Sequence, residues 1–476
     1  MATNGNYIRE KARDTKVMRQ CDVVVVGGGP GGIGAAVAAA RNGADTVLIE
    51  RYGHLGGMGT GGLVTIIPQL ADLTGKQQIA GITQEWIDRL AARNAVDMPK
   101  KEHWGSLDKE LVQYYFKRSF FYARLDRVSY AALIDAEISK IILNEMMEEA
   151  GVKVILHAWG TEPIMDGKHC KGVIFESKSG RQAILAKVVI DSTGDGDLFP
   201  YADIECETDI PAHYRIANLA VCFWVAGVDH KKMMDFRDNN MKEFMDLMRK
   251  ANEYGGQGGF MTSNLPDQES VVWFHSRYPN KSQTDVEELT RVEILGHKIA
   301  GKTIEFYRKN VPGFEKAFLV LTDPQLGTRS SRRMVGEYWL TEKDLSNNQP
   351  FEDTIATFPD LDRGDDSLAH PNMYIPYRSL LPKNVDNFFV ACRAFSSDKH
   401  VQDYFNLIPH CIAFGEAAGT ASAMALSAGV PIKKVDIKAL QKQLAKQGVP
   451  LPDVTKKVDY KYEGPALVGR PFTPPH

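Results

Sequence analysis

The chain has 476 residues, which is longer than a single hydrophobic core usually supports, so we expect two domains. Its net charge of −3 is nearly balanced, and this excludes recognition of nucleic acid by bulk charge. The six cysteines contain no C-x-x-C pair, so neither a zinc site nor a dithiol redox pair is indicated, and we expect no metal. We find no apolar signal segment at the start and no apolar run long enough for a membrane, and we expect a cytoplasmic protein.

Residues 21–50 carry the most informative pattern in the chain. Residues 22–26 are rich in valine and predict a buried parallel strand. Gly27, Gly29 and Gly32 follow it as G-x-G-x-x-G, which permits a tight turn, close approach to a pyrophosphate and close packing of a helix on the strand. The helix predicted over 31–42 directs its free N–H groups and positive dipole end at that phosphate.

A second strand, predicted over 47–49, ends at Glu50, about twenty residues after the glycines. A carboxylate here can accept both hydroxyls of a ribose and would repel a 2′-phosphate. The pattern therefore predicts a site for the adenosine diphosphate part of FAD or NAD. The alternative is an ordinary strand–helix–strand turn that binds no nucleotide.

A glycine-rich loop, RYGHLGGMGTGGLVT, follows at residues 51–65. Glycine is needed where φ is positive or where backbone lies against a flat ligand, so we expect this loop to contact the cofactor. Leu55, Met58 and Leu63 would be poorly placed in a solvated linker, which disfavours the alternative of a flexible surface turn.

Helices are next predicted over 83–92 and 130–150 from their apolar periodicity. Strands are predicted over 152–157, 171–176 and 184–190, with turn residues near 166 and 179 that indicate hairpins. The last strand leads into DSTGDGD at residues 191–197, a loop that we expect to pass close to the cofactor.

Residues 210–375 change in character and predict an inserted second domain, with long helices over 231–254 and 285–310. Arg329, Arg332 and Arg333 lie close together in its last third. One interpretation is a solvated or ion-paired cluster. The other is a clamp for a carboxylate substrate, or a part of the flavin edge.

The C-terminal part contains a buried strand within residues 385–395 and a helix over 408–429 that is built of small residues. Gly415, Ala418, Gly419 and Ser422 share one face of this helix, which can pack against a flat group or simply against another helix. The proline-rich residues 446–476 predict an extended tail or an arm that joins copies of the chain in a homo-oligomer.

Several blocks together resemble the FAD-dependent oxidoreductases with two dinucleotide-binding folds, the glutathione-reductase-like class. The blocks are VVVGGGPGGIGAAVAAARNGADTVLIER, GHLGGMGTGG, IDSTGDGD, and NFFVACRAFSSDKH with GEAAGTASA. A further block, LGTRSSRRMVGEYWLT followed by YIPYRSLLP, is similar to the signature of a bacterial subgroup that is usually called FAD-dependent oxidoreductase. The resemblance covers the chain from about residue 20 to residue 430.

This resemblance implies an α/β fold, with a Rossmann-like FAD-binding domain of the glutathione-reductase type and an inserted α+β substrate domain. The implied division is an N-terminal arm over 1–20, a discontinuous FAD-binding domain over 21–209 and 376–432, a substrate domain over 210–375, and a C-terminal helix and extended tail over 433–476.

The resemblance also implies which residues lie along FAD. Adenosine would lie on Glu50, the pyrophosphate on residues 29–32, and the isoalloxazine near residues 57–59 and the start of the C-terminal small-residue helix. The implied cofactor-binding residues are Gly27, Gly29, Pro30, Gly31, Gly32, Glu50, Arg51, Gly57, Met58, Gly59, Asp195, Arg393, Gly415, Ala418 and Gly419. Two positions depart from the family pattern, because Cys392 stands where glycine is usual and Asn406 where an arginine is frequent.

The implied reaction moves a hydride between flavin N5 and a small organic substrate, and the arginine cluster points to an anion. A second partner, the electron acceptor or donor, stays unassigned. Hydride transfer usually needs a group that moves a proton on the substrate. His410 is the first candidate, His54 the second, and Tyr404 and His400 follow, with Arg329 as the candidate contact to an anion.

Two other functions stay open from the sequence. A non-catalytic dinucleotide-binding or redox-sensing subunit of a larger complex would bind nucleotide without turnover. An NAD-linked enzyme without flavin would be colourless and would depend on added NAD. The sequence has no second G-x-G-x-x-G after a strand, which disfavours a combined FAD and NAD(P)H reductase.

Overall fold

The computed structural model of the chain describes residues 3–4, 7–8, 10–208, 219–253, 257–266, 268–361, 367 and 370–458. Its helices are α1 (Pro30–Arg41), α2 (Ile82–Ala91), α3 (Lys109–Arg118), α4 (Ala136–Ala150), α5 (His230–Asn239), α6 (Met241–Asn252), α7 (Val286–Asn310), α8 (Glu342–Asn347), α9 (Lys399–Tyr404), α10 (Ile408–Ala428) and α11 (Ile437–Lys446). Its strands are β1 (Thr3–Asn4), β2 (Tyr7–Ile8), β3 (Lys16–Val26), β4 (Thr46–Ile49), β5 (Ile66–Ile67), β6 (Val96–Asp97), β7 (Ala123–Arg124), β8 (Arg127–Val128), β9 (Ala132–Ile134), β10 (Lys153–Ile155), β11 (Trp159–Asp166), β12 (His169–Ser177), β13 (Gly180–Asp191), β14 (Cys206–Glu207), β15 (Leu219–Ala226), β16 (Gln257–Leu265), β17 (Gln268–Tyr278), β18 (Phe318–Thr322), β19 (Gly327–Thr328), β20 (Arg333–Met334), β21 (Thr354–Pro359), β22 (Asn372–Pro376) and β23 (Phe388–Val390).

The first sheet is mainly parallel. Its strand order is β10-β4-β3-β13-β12-β11, and β23 pairs with the end of β13. Strands β10, β4, β3, β13 and β23 pair in parallel, whereas β12 and β11 form an antiparallel extension. The carboxyl ends of β3, β4 and β13 therefore meet at one edge, which is where open sheets of this kind bind ligands.

Buried apolar residues specify the centre of this sheet. Residues 23–26 in β3 are valines that are at most 2 % exposed, and residues 47–49 in β4 are completely buried. Because such strands are covered on both faces, their sequences are continuous apolar runs without polar alternation. This is why the short valine run at the start of the chain forms a central strand.

Helix α1 packs on helix α10 with their backbones in direct contact. A Cβ added to Gly415 would overlap the carbonyl oxygen of Gly31, and one added to Gly419 would overlap that of Ala35. Since the residue numbers increase together on both sides of the contact, the two helices run in the same direction. Small residues on both helices are therefore needed for this approach.

The second sheet is a separate antiparallel unit, β16-β17-β15-β18, with β19 beside β15. Helix α7 packs on it through Val292 and Ile299, which form a cluster with Val221 of β15. The helix begins after Asp285, whose carboxylate accepts the N–H groups of the first turn. Within the described part of the chain, no helix is both long enough and apolar enough to cross a bilayer.

Some predicted elements differ from the structure. The helix predicted over 130–150 begins only at Ala136, because residues 132–134 form β9 and pair with β5 and β6. The single helix predicted over 231–254 is interrupted at Asn240, between α5 and α6. Residues 16–20 extend β3 along β13 instead of belonging to an arm. The part of the predicted tail beyond residue 458 lies outside the described residues.

Candidate functional site

The site begins at the turn after β3. Gly27 has a φ of +99°, and its N–H donates to the carbonyl of Ile49 over 2.8 Å. A Cβ on Gly27 would lie 2.6 Å from the carbonyl oxygen of Ser192, so only glycine fits between β3 and the loop after β13. The turn thus joins the ends of the three central strands.

Gly29 has different surroundings, although it belongs to the same turn. Its φ of −71° and ψ of −171° are accessible to any residue. The nearest protein atom to an added Cβ would be the Cα of Gly57, at 4.0 Å. Neither backbone strain nor packing requires glycine at this position, and the residue lines a cavity. The space in front of it is the room that a diphosphate needs to approach the backbone.

The N-terminus of helix α1 faces the same space. The helix starts at Pro30, which has no N–H to satisfy, and its first turn contains no acidic side chain. The N–H of Ile33 is bonded to the carbonyl of Gly29, whereas the N–H groups of the first turn precede the helical ladder. Free N–H groups and the positive end of the helix dipole together favour an anion here.

Glu50 lies at the end of β4 with its carboxylate held by the backbone. Oε2 accepts the N–H of Gly28 over 2.5 Å, and Oε1 accepts the N–H of Tyr52 over 2.8 Å. The side chain is only 6 % exposed, and burial raises the pKa of its carboxyl. Each oxygen keeps a further lone pair, so the carboxylate is oriented and can still accept hydroxyl donors.

Arg51 and Trp159 form the mouth of the site. The Arg51 guanidinium lies 5.5 Å from the centre of the Trp159 ring and 5.0 Å from that of Tyr52. It is also 3.9 Å from the carboxylate of Asp197. The Trp159 ring is 55 % exposed, so a large aromatic surface is available next to Glu50. This surface suits a flat heteroaromatic ring.

The loop after β13 is shaped by a buried acid. The carboxylate of Asp191 accepts the N–H of Thr193 over 2.9 Å and its hydroxyl over 2.7 Å. Burial raises the pKa of Asp191 to about 7. These bonds fix a turn in which Gly194 has a φ of +93°. Thr193 and Gly194 consequently lie along the wall of the cavity.

Arg393 forms the wall next to this loop, since a Cβ added to Gly194 would overlap its Nη1. Its Nη2 is 2.7 Å from the carboxylate of Asp195 and donates to the hydroxyl of Thr328 over 2.6 Å. Its Nε is buried without a hydrogen-bond acceptor. A buried guanidinium N–H at the wall of a cavity suits a phosphate oxygen. Asp195 also accepts the hydroxyl of Ser331 over 2.5 Å, which fixes the pair in place.

The far end of the cavity is made by the glycine loop and two later segments. Gly57 begins a short 3₁₀ turn over Gly57–Gly59, with a φ of +49°. Met58 in this turn accepts the N–H of Thr328 at its sulfur, over 3.5 Å. Gln325 and Asn406, from the β18–β19 connection and the segment before α10, lie at this end as well.

These parts enclose one continuous cavity with about 830 Å³ of empty volume, some of it open to solvent. Segments from the beginning, middle and end of the chain contribute to its wall. The lining residues are Val26, Gly27, Gly29, Pro30, Gly31, Ile49, Glu50, Arg51, Tyr52, Gly57, Met58, Ala158, Trp159, Gly160, Ser192, Thr193, Gly194, Asp197, Gln325, Thr328, Cys392, Arg393, Asn406, Ile408 and Cys411. An open backbone cradle at Gly29, an oriented carboxylate and an unsatisfied arginine N–H fit an extended dinucleotide.

Nine of the predicted cofactor residues line this cavity and six do not. Gly32 packs on the carbonyl of Gly27, and Gly59 packs against the ring of Trp86. Asp195 acts behind the wall through Arg393. Gly415, Ala418 and Gly419 are buried in helix α10, where the two glycines contact helix α1.

The predicted proton partners have different environments. His410 is completely buried, with its ring 4.2 Å from that of Phe358 and its Nδ1 accepting the N–H of Leu407 over 3.4 Å. Tyr404 is half-buried and packs near Phe405, and His400 is exposed. None of these three residues is among those that line the cavity.

His54 is the candidate with unsatisfied polar atoms. Both of its ring nitrogens are buried without a hydrogen-bond partner. The ring is stacked on Tyr52, with centroids 5.5 Å apart, and a Cβ on Gly61 would lie 2.5 Å from His54 Nε2 and 3.1 Å from Gln325 Oε1. His54 is not itself among the residues that line the cavity, but it is next to Tyr52 and Gln325, which both line it, and burial lowers the pKa of its imidazole.

Every arginine of the predicted cluster has a carboxylate partner. Arg329 Nε is 3.5 Å from Asp403, and its Nη2 donates to the Asp403 carbonyl over 2.9 Å. The other two pairs are Arg332 with Asp197, at 3.6 Å, and the fully buried Arg333 with Glu207, at 3.1 Å. The contacts favour the ion-paired interpretation over the clamp.

Sequence reasoning did not identify several residues of the cavity wall. Trp159, Thr193 and the pair Gln325 and Thr328 come from three separate segments, and no spacing in the sequence connects these segments. Two of the wall residues, Cys392 and Asn406, were noted only as departures from a family pattern. The DSTGDGD loop was expected near a cofactor, and this was the available signal for Thr193.

Comparison with protein families gives a match over most of the chain. A sequence model described as FAD dependent oxidoreductase matches residues 22–444. No curated protein matches the chain by sequence.

Solved structures of similar architecture have low identity to this chain. A geranylgeranyl bacteriochlorophyll reductase-like protein from Thermoplasma acidophilum is 14 % identical, with 90 % of this chain and 83 % of that chain covered and a TM-score of 0.43. The myxobacterial chondrochloren halogenase CndH is 13 % identical, with 90 % and 79 % covered and a TM-score of 0.47. The p-nitrophenol 4-monooxygenase PnpA from Pseudomonas putida DLL-E4 is 12 % identical, with 90 % and 85 % covered and a TM-score of 0.44. Similarity at this level does not identify a reaction.

Proposed function

Because the chain belongs to the FAD dependent oxidoreductase family and is an FAD-dependent enzyme, we propose that its cofactor lies along the cavity described above and exchanges a hydride with a small organic substrate. The observation that carries the proposal is the open cradle at Gly29, which no protein atom fills. The family match favours this function over a non-catalytic nucleotide-binding subunit or an NAD-linked enzyme without flavin.

We propose a glutathione-reductase type of FAD-binding domain that is discontinuous in sequence, over 21–209 and 376–432, with a substrate domain over 210–375. Strand β23 and helix α10 support this division, because they return to the first sheet after the second sheet has been completed. We also propose that the protein takes a small-molecule substrate and a separate electron acceptor or donor.

The chain's own groups would hold the cofactor at three places. Glu50 accepts the ribose hydroxyls with a carboxylate that is already oriented by two N–H groups. The first-turn N–H groups of α1 and the guanidinium of Arg393 oppose the diphosphate charge. Gly57, Met58 and Ile408 form the wall at the far end. When bound, FAD supplies a two-electron redox centre that exchanges hydride.

His54 is our proposed proton partner for the substrate. Its imidazole is next to Gln325 at the far end of the cavity, and burial keeps it neutral at neutral pH. A neutral imidazole has one nitrogen that can take a proton, and the lack of partners inside the protein leaves that nitrogen available. His410, by contrast, caps helix α10 and stacks on Phe358.

Anaerobic flavin photometry of the purified protein tests this function. We expect a yellow protein whose visible absorbance is bleached by a substrate without oxygen. His54→Asn should keep FAD but lower the bleaching rate by about 100-fold, since positioned acid–base groups contribute factors of this order. His400→Asn is the matched control, because His400 is exposed and is not among the residues that line the cavity. A protein that cannot be loaded with FAD, or His54→Asn with an unchanged rate, would contradict the proposal.

A further inference from the structure

Two side-chain carboxamide oxygens at the far end of the cavity have no hydrogen-bond donor from the protein. Gln325 Oε1 and Asn406 Oδ1 are both buried and accept no hydrogen bond from the protein, and both residues line the cavity. A buried acceptor without a donor is unfavourable, because it has lost its hydrogen bonds to water and gained none in the protein. A ligand that donates hydrogen bonds at these two points would remove that cost.

The orientation of the Asn406 amide is determined by its neighbours. Its Nδ2 donates to the carbonyl of Arg329 over 3.4 Å and to the hydroxyl of Ser330 over 3.2 Å. A carbonyl can only accept, so the reversed amide would place two oxygens against each other. Oδ1 of Asn406 is therefore the atom left for a ligand, and it is an acceptor.

The arginines of the cluster give a carboxylate substrate no free cation, and the unsatisfied Nε of Arg393 is the group assigned above to the diphosphate of the cofactor. Arg329, Arg332 and Arg333 are each paired with a carboxylate of the protein. Recruiting Arg329, the arginine that contacts Asn406, would leave the buried carboxylate of Asp403 without its ion-pair partner, which is strongly unfavourable. The two amide oxygens would in addition repel an anion.

A protonated amine would also lack a free counter-charge, because Asp197, the aspartate that lines the cavity, is already paired with Arg51 and Arg332. The acidic residue closest in sequence to Gln325 is Asp323, two residues before it, and its side chain is only 3 % exposed. Neither of its oxygens has a hydrogen-bond partner, and burial raises the pKa of its carboxyl to about 8. The group is thus mostly uncharged at neutral pH and does not compensate an ammonium.

We infer that the substrate is a neutral molecule that donates hydrogen bonds through hydroxyl groups, an alcohol or polyol, and that Gln325 and Asn406 hold it beside His54. This rests on the proposed function, since it concerns the same cavity. It replaces the anion that the arginine cluster suggested in the sequence.

Sets of probes that share one skeleton and differ in charge test the inference on the FAD-loaded enzyme. One set is glucitol, gluconate and glucosamine; another is cyclohexanol, cyclohexanecarboxylate and cyclohexylamine. The readouts are the visible difference spectrum of the oxidised flavin and its anaerobic bleaching. We expect the neutral alcohol of a set to bind at least about 10-fold more tightly than its charged counterparts. A factor of this size is expected when one buried hydrogen bond is lost or a charge is left uncompensated.

The outcomes separate the inference from the function on which it depends. A carboxylate or an amine that binds more tightly than its matched alcohol, or that alone bleaches the flavin, overturns the inference and leaves the proposed function intact. A loaded flavin that no member of any set perturbs or bleaches contradicts both.

Variants of Gln325 test the assigned contact directly. Gln325→Leu should weaken binding of the responding alcohol about 10-fold, and Gln325→Glu, which keeps an acceptor oxygen, should restore most of it. FAD affinity, measured by flavin fluorescence, separates a contact to the substrate from a contact to the cofactor, since Gln325 also lines the cofactor cavity. A loss of FAD affinity in Gln325→Leu as large as the loss of alcohol affinity would overturn the inference. Gln325→Met is a second apolar replacement if the leucine variant does not fold. Wild-type alcohol affinity in a folded, FAD-loaded Gln325→Leu or Gln325→Met protein would overturn the inference.

Discussion

Gly29 in the turn after β3 and the glycines of the α1–α10 contact lack a side chain for different reasons. At the contact, Gly34, Gly415 and Gly419 each face a backbone carbonyl of the other helix that an added Cβ would overlap. At the turn, Gly29 faces open space, with the nearest atom 4.0 Å from an added Cβ. The first set is required by the protein itself, and the second position is required only by something that the protein binds. A glycine that neither the backbone conformation nor the packing requires therefore indicates a position where a ligand approaches the backbone.

The largest expected effect is on the helix contact. Gly415→Ala places a methyl group on the carbonyl oxygen of Gly31, and because that obstacle is backbone, the helices must separate. We expect a loss of about 3 kcal/mol or more in the free energy of unfolding, measured by urea denaturation of the flavin-free protein. Gly301→Ala on helix α7 is the control, because its Cβ meets no atom within 4 Å. It should stabilise the protein by about 0.5–1 kcal/mol. Equal stabilities of the two variants would invalidate the comparison.

The next effect is on the turn, and it should leave the fold unchanged. Gly29→Val fills the cradle with a branched side chain, so we expect FAD affinity to fall at least about 100-fold, equivalent to about 2.8 kcal/mol. The urea midpoint of the flavin-free variant should stay close to that of the wild type, because the backbone conformation at Gly29 is an ordinary one. Flavin fluorescence gives the affinity. Stoichiometric FAD in this variant would show that the diphosphate takes another path.

A third experiment measures how protein stability depends on pH through a buried acid in helix α10. Glu416 in α10 is buried, accepts the N–H of Ile82 over 3.0 Å, and has its pKa raised by burial to about 7. The folded state then binds a proton that the unfolded state has released, so stability falls as the pH rises from about 4 to about 7. Glu416→Gln cannot ionise and should remove about 2 kcal/mol of that decline. The measurement is the urea midpoint at pH 5 and pH 8, and an unchanged decline in the variant would contradict this role.

The smallest effect is expected at the mouth of the cavity. Trp159→Ala removes a half-exposed ring beside Arg51 and Glu50, and we expect FAD affinity to fall about 5-fold, or about 1 kcal/mol. Stability should not change measurably, since the ring is 55 % exposed. Tyr201→Ala, which removes another exposed aromatic ring (61 % exposed) on the 3₁₀ turn Phe199–Tyr201, is the control. Unchanged FAD affinity in Trp159→Ala would show that this ring does not contribute to cofactor binding, which would then depend on Glu50 and the N-terminus of α1.

Local patterns in the sequence predict the first strand–helix–strand unit well. Helix α1 and strand β4 were expected within one residue of their observed bounds, because a glycine turn and an alanine-rich segment are local signals. The buried valine run predicted the second half of β3, residues 22–26, whereas the strand begins at Lys16. Strand β9 was assigned to a helix, since its pairing with β5 and β6 depends on segments distant in sequence. An apolar run before a helix cannot by itself reveal that partner.

The candidate site shows the same division. Residues close to the fingerprint, such as Gly29 and Glu50, could be predicted from spacing, whereas Gln325 and Asn406 approach them only in three dimensions. The sequence also could not predict whether Arg329 is available to bind an anion, because its partner Asp403 lies 74 residues away in the chain. Long-range ion pairs of this kind decide whether a basic cluster is available to a substrate.

The pairing of β23 with the end of β13 also bears on how the protein matures during synthesis. A nascent chain that has emerged as far as β13 has the turn at Gly29 and Glu50, but it still lacks the wall from Arg393 to Cys411. Until β23 arrives, the last residues of β13 present an open edge, which makes the incomplete chain prone to association. We therefore expect cofactor retention only after most of the polypeptide has left the ribosome, and a chain shortened before residue 388 should be recovered without flavin.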